Sequence, residues 1–299
     1  MIELEWHEDG AAGAAAADMQ EGAQERGGPV RESRVTVRLI GLPTDSHSSF
    51  LRGPASAPAV IRSALWSDHG NTASECGLEL GSDILVEDVG DLPLDETELD
   101  LERISSAARE AKAQGAVPIF LGGDHMVTFP IVAGLAEAYG AVNILHFDAH
   151  PDLYQDFGGD PLSHASPFAR IKERGLANRL VQVGIRTLNR HCREQVETYG
   201  VEVVEMRSFS STQVPIPEAP LYISIDMDAL DPAFAPGVSH HEPGGLSVRD
   251  VLSVLHRVPG PIVGADVVEL NPTRDINGMT AVVAAKFVKE LAALAARGG

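Results

Sequence analysis

The sequence predicts an α/β fold in which helices cover both faces of a mainly parallel sheet. Short apolar runs rich in β-branched residues alternate with longer segments whose apolar residues recur at helical spacing. This alternation is typical of a single parallel sheet with helices on both sides. Several of the apolar runs end abruptly in Asp or His, at the strand ends where open α/β sheets bind their ligands.

The predicted elements follow one another from residue 35 to the C-terminus. Gly41 and Pro43 close the first strand, and Gly115 ends the second helix, because both residue types interrupt regular structure. Strands are predicted in RVTVRLIGLP, AVPIFLGG, VNILHFD, LVQVGIR, PLYISIDMD and PIVGADVVEL. Helices are predicted in APAVIRSALW, ERISSAAREAKAQG, FPIVAGLAEAYG, SPFARIKERG, CREQVETYG, SVRDVLSVLHRV and MTAVVAAKFVKELAALAAR.

Residues 35–299 are predicted to form one domain, and residues 1–34 a flexible extension. The extension is rich in Ala, Gly and Glu and has little apolar surface to bury. It lacks the basic and apolar stretches of a secretory signal and the Arg/Ser-rich composition of a transit peptide. No apolar run approaches the ~20 residues that span a bilayer. With only two cysteines, Cys76 and Cys192, the expected compartment is the reducing cytoplasm.

The net charge of −20 limits the classes of ligand that the protein is expected to bind. Nucleic acids and anionic membranes would be repelled, so neither is expected as a partner. An acidic field suits a small cationic substrate or a metal ion, although the same charge also serves solubility.

Three of the predicted strands end in acids and imidazoles that should meet at one edge of the sheet. Side chains two residues apart on an extended segment point the same way, so each cluster can present two groups to one crevice. The clusters are His125 after AVPIFLGG, then Asp148, His150 and Asp152 after VNILHF, and Asp226 and Asp228 after LYISI.

These six groups predict a site for two metal ions. Carboxylates that converge at a partly buried site repel one another unless a cation lies among them. Six groups are too many for one tetrahedral ion, but they suit two ions that share bridging carboxylates. Oxygen and imidazole donors without a thiolate favour Mn²⁺ over structural Zn²⁺, while Ni²⁺ and Co²⁺ stay open. Two such ions would hold a bridging hydroxide at neutral pH.

Three longer motifs surround these residues: GGDHMVTFP, FDAHPDLY and SIDMDALDPAFAPG. Through them the chain resembles the ureohydrolases, the family of arginase, agmatinase and their relatives, and the resemblance continues from about Val37 to the C-terminus. The stretches LDPAFAPGVSHHEPGGLSVRDVLSVL and YQDFGGDPLSHASPFARI are most similar to plant-type arginases. The resemblance implies a catalytic domain of three α/β/α layers around an eight-stranded, mainly parallel sheet, assembled as a homotrimer or homohexamer.

The resemblance also implies a role for each residue of the site. His164 matches the proton-transfer histidine of the family, and Glu269 matches the acid that binds the substrate guanidinium. The implied reaction is attack of the metal-bridging hydroxide on the guanidino carbon, which gives urea and an amine. One manganese ion would be held by His125, Asp148, Asp152 and Asp226, and the other by Asp148, His150, Asp226 and Asp228, with Asp148 and Asp226 bridging.

Three positions depart from the usual family pattern. Met126 stands where Ser is common, Ala165 where Gly is common, and Asn189 where animal arginases carry an Asp that contacts the substrate amino group. L-arginine is slightly favoured as substrate, and agmatine, guanidinobutyrate and other guanidino compounds stay open. Two rival classes are a zinc deacetylase-like enzyme, which needs only one metal, and a non-catalytic homologue, which would have lost a ligand, His164 or Glu269.

Overall fold

The computed structural model describes residues 34–297, within which the chain forms eight strands and seven α-helices. The longest helix has 17 residues. No helix in the described range is long and apolar enough to cross a bilayer. The strands are β1 (Thr36–Gly41), β2 (Leu85–Asp91), β3 (Ala116–Leu121), β4 (Val142–Phe147), β5 (Ala177–Ile185), β6 (Glu202–Glu205), β7 (Leu221–Asp226) and β8 (Gly264–Val268). The helices are α1 (Ala57–Leu65), α2 (Leu99–Ala113), α3 (Thr128–Tyr139), α4 (Pro167–Glu173), α5 (Arg190–Tyr199), α6 (Val248–Leu255) and α7 (Met279–Ala295).

All eight strands pair in parallel, in the order β2-β1-β3-β8-β7-β4-β5-β6. Neighbouring strand residues point to opposite faces, so Leu39 belongs to the apolar layer that includes α1, α6 and α7, whereas Ile40 belongs to the layer that includes α2, α3 and α4. Each face therefore has its own apolar layer of helices. The predicted three-layer α/β/α fold with a parallel sheet is confirmed.

The two edge strands, β2 and β6, are absent from the strands expected from apolar runs. Five of the seven residues of β2 are exposed, and the four residues of β6 are all half-buried. An edge strand is partly solvated, so it lacks the continuous apolar run that marks a central parallel strand. The remaining strands lie where they were expected.

The domain boundary stays a prediction. Residues 1–33 of the expected extension lie outside the described residues, and the single domain expected over residues 35–299 is described up to residue 297.

Helix α6 begins with a reciprocal cap, which gives a test of local stability. Ser247 Oγ accepts a hydrogen bond from the Asp250 N–H at 3.1 Å, and Asp250 Oδ2 accepts one from the Ser247 N–H at 2.9 Å. We expect Ser247→Ala to lower the free energy of unfolding in urea by about 1 kcal/mol. Ser253→Ala removes a hydroxyl from inside the same helix and should cost clearly less. Equal losses in the two variants would contradict the role of the cap.

Candidate metal centre and substrate cleft

The residues predicted for the site meet at the carboxyl ends of the four central strands. His125 follows β3, Asp148 follows β4, Asp226 ends β7 and Glu269 follows β8. Asp226 and Glu269 line a cleft of about 230 Å³, and His125 and Asp148 are fully buried beside them. This is the edge at which an open parallel sheet binds ligands.

A two-glycine turn directs His125 to this edge of the sheet. Gly122 and Gly123 have φ values of 72° and 88°, in the left-handed region that favours glycine. A Cβ on Gly122 would lie 2.7 Å from Cδ of Pro58, so a side chain does not fit there. Asp124 then accepts a hydrogen bond from the Met126 N–H at 3.1 Å and starts a short 3-10 turn. The strand thus ends sharply, with His125 fully buried beneath the cleft.

Three carboxylates surround one ring nitrogen of His125. Its Nδ1 lies 3.0 Å from Asp226 Oδ2, 3.1 Å from Asp148 Oδ2 and 3.2 Å from Asp152 Oδ2. None of these contacts has hydrogen-bond geometry, and Nδ1 has no hydrogen-bond partner among the described residues. Burial lowers the pKa of His125, but the three carboxylates outweigh it and raise that pKa well above its ordinary value. The cluster therefore attracts positive charge, and a cation among these four groups would satisfy all of them.

A second cluster adjoins the first through Asp148. His150 Nδ1 lies 3.2 Å from Asp228 Oδ2 and 3.3 Å from Asp148 Oδ1. Asp148 thus turns one oxygen toward each imidazole. Burial and the carboxylates of Asp228 and Asp148 raise the pKa of Asp226 well above its ordinary value, so the acids repel one another. The six predicted ligands lie close together, and two groups that share Asp148 could each hold a cation: His125, His146 and Asp148, and Asp148, His150 and Asp228.

A buried hydrogen-bond network behind His125 was not predicted from the sequence. Ser224 Oγ lies 3.0 Å from His125 Nε2 and donates to Asp266 Oδ1 at 2.7 Å. Asp266 Oδ2 also accepts from Thr128 Oγ1 at 2.7 Å and from the Tyr222 hydroxyl at 2.6 Å. Because the Ser224 proton goes to Asp266, its oxygen accepts from His125 Nε2–H. A neutral His125 therefore has its lone pair on Nδ1, the nitrogen that faces the carboxylates.

We expect Ser224→Ala to weaken manganese binding about tenfold to a hundredfold, because His125 loses the partner that fixes its ring. Isothermal titration calorimetry, in which manganese is added to the metal-free protein, measures the change in affinity. Tyr222→Phe is the matched control, since it removes another hydroxyl from Asp266 without touching His125. If the two variants bind manganese equally well, the network does not orient this ligand.

His146 supports Asp148 in the same way. The Gln182 amide donates to Pro151 O at 2.6 Å and to His146 Nδ1 at 3.1 Å. His146 therefore carries its proton on Nε2, which donates to Asp148 Oδ2 at 2.9 Å. Burial lowers the pKa of His146, which keeps the ring neutral. Although His146 is close enough to be a ligand, its Nε2–H makes it a support for Asp148.

Glu269 and His164 form a buried pair beside the two clusters. Glu269 Oε1 accepts from the His125 N–H at 2.9 Å and lies 2.9 Å from His164 Nδ1. Its Oε2 has no hydrogen-bond partner within residues 34–297. The backbone of Glu269 has a φ of 62°, and that of Asp152 a φ of 48°, both in the left-handed region that non-glycine residues rarely adopt. Such conformations concentrate at functional sites.

The charge of Glu269 controls the protonation of His164. Burial lowers the pKa of His164, but Glu269, Asp152 and Asp124 outweigh it and raise that pKa to about 9. In the metal-free protein the ring is therefore an imidazolium at neutral pH.

This shift predicts the pH dependence of stability. A raised histidine pKa adds stability that is complete below about pH 6.5, the unfolded value, and is lost as the pH rises through about 9. The unfolding free energies of the metal-free protein and its His164→Asn variant should therefore differ most near pH 6. We expect the difference to shrink by at most about 3 kcal/mol toward pH 10. Urea denaturation across this range measures it, and a constant difference would contradict the charged pair.

Asn189, one of the three departures from the family pattern, caps a helix. Its Oδ1 accepts from the Cys192 N–H at 2.8 Å at the start of α5, and its Nδ2 donates to the Tyr154 hydroxyl at 2.7 Å. Tyr154 and Cys192 line the cleft, whereas Asn189 itself is exposed and does not. Asn189 thus acts on the cleft through its neighbours.

The other two departures are accommodated locally. The ring of His125 bonds to Ser224, so it needs no hydroxyl from residue 126, and Met126 is buried in the apolar layer. Ala165 lies outside the left-handed region, so its position does not require glycine. Its carbonyl accepts from the Tyr154 N–H at 3.1 Å.

The walls of the cleft carry a third imidazole that the sequence reasoning did not single out. The ring centroid of His240 lies 5.0 Å from that of His164, 6.0 Å from that of His150 and 5.7 Å from that of Phe50. None of the described residues that line the cleft is Lys or Arg. With four carboxylates in its lining, the cleft suits a cationic ligand. These carboxylates belong to Asp152, Asp226, Asp228 and Glu269.

Comparison with known proteins gives the family. Residues 35–293 match the family model of the Arginase family. The chain belongs to the arginase family. It is 49% identical over 278 residues to "Arginase 1, mitochondrial" of Arabidopsis thaliana, covering 87% of this chain and 81% of the relative. The predicted family resemblance is confirmed.

This arginase-family chain is also similar to a second arginase and, at lower identity, to an agmatinase. The solved structure "Arginase from Medicago truncatula" superposes with a TM-score of 0.81 at 48% sequence identity and covers 87% of both chains. "Agmatinase, mitochondrial" of Gallus gallus is 34% identical over 281 residues, which are 88% of this chain and 82% of the relative. This arginase-family protein is accordingly a hydrolase that acts on C–N bonds of linear amidines. The roles of the individual site residues stay predictions.

Proposed function

We propose that the protein is a binuclear manganese ureohydrolase that converts L-arginine to urea and an amine. One observation carries the proposal: His125 Nδ1 has three carboxylate oxygens at 3.0 to 3.2 Å and no hydrogen bond to a described residue. The other oxygen of one of those acids, Asp148, faces a second imidazole, His150, at 3.3 Å. Two cations that share Asp148 account for both contacts.

The donor set supports manganese at both positions. Carboxylate oxygens and imidazole nitrogens without thiolates suit Mn²⁺, and Ni²⁺ or Co²⁺ would also be accepted. When bound, such a pair of ions supplies a hydroxide nucleophile at neutral pH and stabilises developing negative charge. The residues that would hold them are His125, Asp148, Asp152 and Asp226 for one ion, and Asp148, His150, Asp226 and Asp228 for the other.

Glu269 would bind the guanidinium of the substrate. Its Oε2 is free of hydrogen bonds to the described residues, and a planar guanidinium pairs well with a carboxylate. A guanidinium there would lie next to His164 Nδ1, which faces the other oxygen of Glu269 at 2.9 Å. In the metal-free protein Glu269, Asp152 and Asp124 raise the pKa of His164 to about 9 against the effect of burial. His164 would pass the Nδ1 proton to the leaving nitrogen as the C–N bond breaks.

L-arginine and agmatine differ only in the α-carboxylate, and different observations favour each. Cys192, in the first turn of α5, lines the cleft, and the positive end of a helix dipole stabilises a carboxylate. The higher identity to the arginase of Arabidopsis than to the agmatinase of Gallus gallus also favours L-arginine. Agmatine is the second candidate, because none of the described cleft-lining residues is a Lys or Arg that would pair with a carboxylate.

Urea release tests the proposal directly. The manganese-loaded protein is assayed with equal concentrations of L-arginine, agmatine, guanidinobutyrate and guanidine. We expect the fastest release from L-arginine. Faster release from agmatine or guanidinobutyrate would replace the substrate and leave the chemistry unchanged. No release from any of the four, with two metal ions bound per chain, would contradict the proposed function.

Assembly and location complete the proposal. We propose a homotrimer or homohexamer in the cytoplasm, with a small guanidino compound as the ligand and neither nucleic acid nor membrane as a partner. The Arabidopsis relative is named mitochondrial, so cell fractionation must compare both compartments. Light scattering on the purified protein measures the number of subunits, and a monomer would contradict the assembly.

A further inference from the structure

His164 has two polar side-chain partners among the described residues, one on each ring nitrogen. Nδ1 lies 2.9 Å from Glu269 Oε1, and Nε2 lies 2.8 Å from Ser49 Oγ. Glu269 is the group that the proposed function assigns to the guanidinium. Glu269 would then be shared between the guanidinium and the ring, whereas Ser49 holds the ring independently of the substrate. Ser49 lines the same cleft as His164 and Glu269.

We infer that Ser49 is a positioning residue that holds His164 through Nε2 while Nδ1 moves the proton; this rests on the proposed function of His164. In the imidazolium both nitrogens carry a proton, and Ser49 Oγ accepts from Nε2–H. Nδ1 then gives its proton to the leaving nitrogen, which takes the electron pair of the breaking C–N bond. The remaining proton is on Nε2, so Ser49 accepts the same hydrogen bond before and after the transfer, and the ring need not turn.

The backbone on both sides of Ser49 is fixed, which a positioning role requires. The His47 carbonyl accepts from the His164 N–H at 3.1 Å, so the segment contacts His164 twice. The His47 N–H donates to Asp124 Oδ2 at 2.9 Å. On the other side, Asp45 Oδ2 accepts from the Gly53 N–H at 2.6 Å. The loop is therefore tied to the floor of the site at one end and closed on itself at the other.

The kinetic test compares Ser49→Ala and Ser49→Thr with a control one residue away. Ser48→Ala removes a neighbouring buried hydroxyl whose Oγ has no hydrogen-bond partner among the described residues. With the substrate that releases urea fastest, we expect Ser49→Ala to lower kcat about tenfold to a hundredfold and to leave KM within about twofold. Ser49→Thr should restore most of kcat, because it restores a hydroxyl. Ser48→Ala should match the unmodified protein.

A crystallographic test separates this inference from the proposed function. Crystal structures of the manganese-loaded protein and its Ser49→Ala variant need no turnover, so they decide the inference even if no urea is released. We expect the His164 ring to be ordered on Ser49 in the first and turned or disordered in the second. An unmoved ring in Ser49→Ala, an unchanged kcat, a change confined to KM, or an equal loss in Ser48→Ala would each overturn the inference.

Discussion

Asp148→Asn is expected to lose at least one of two bound manganese ions and to release urea about a thousandfold more slowly, or slower still. Asp148 is fully buried, and each of its oxygens faces a different imidazole of the site. An amide keeps the shape of the side chain but removes the charge and one acceptor oxygen. Both proposed ions would therefore lose affinity together. Metal content by mass spectrometry and the rate of urea release measure the two effects.

The matched control for Asp148→Asn is Asp156→Asn. Asp156 lies in the loop that follows the same cluster, but it is exposed and accepts only from the Gly159 N–H among the described residues. We expect this variant to keep both ions and full activity. Two ions per chain and activity within tenfold of normal in Asp148→Asn would show that Asp148 does not join two metal sites.

His164→Asn is expected to lower kcat about a hundredfold to ten-thousandfold while both manganese ions stay bound. The imidazolium places a titratable proton 2.9 Å from Glu269, and asparagine offers an N–H of similar reach that does not release its proton. His69→Asn replaces an exposed histidine outside the cleft and should change neither quantity.

A loss of turnover without a loss of bound manganese would distinguish His164 from the metal ligands. His164 lies on Glu269 and Ser49, and neither of its ring nitrogens has a salt bridge or hydrogen bond to any of the six predicted ligands. Loss of manganese in His164→Asn, measured by mass spectrometry, would mean that the residue supports the metal centre. Normal turnover would mean that the leaving nitrogen takes its proton from another source.

The candidate metal site could be predicted because its residues lie at the ends of the apolar strand segments, which are the most regular part of the sequence. Asp148 and Asp226 end buried, β-branched strands, so their position at one edge follows from the parallel arrangement. The edge strands β2 and β6 could not be found this way, because partial solvation removes the apolar run that marks a strand.

The supporting groups could not be predicted, because each is defined by contacts between distant segments. Asp266 appears in the sequence as one acid within a buried strand, and only the fold places it under Ser224 and His125. Ser49 is separated from His164 by 115 residues, and a loop serine has no sequence pattern of its own. The pKa of His164 likewise depends on Glu269, which is 105 residues away.

The most direct test of two adjoining metal sites is anomalous X-ray diffraction from crystals of the manganese-loaded protein. Two manganese peaks per chain are predicted, with Asp148 and Asp226 in contact with both. The first should lie among His125, Asp148, Asp152 and Asp226, and the second among Asp148, His150, Asp226 and Asp228. A single peak, or two peaks that do not share Asp148, would contradict the account.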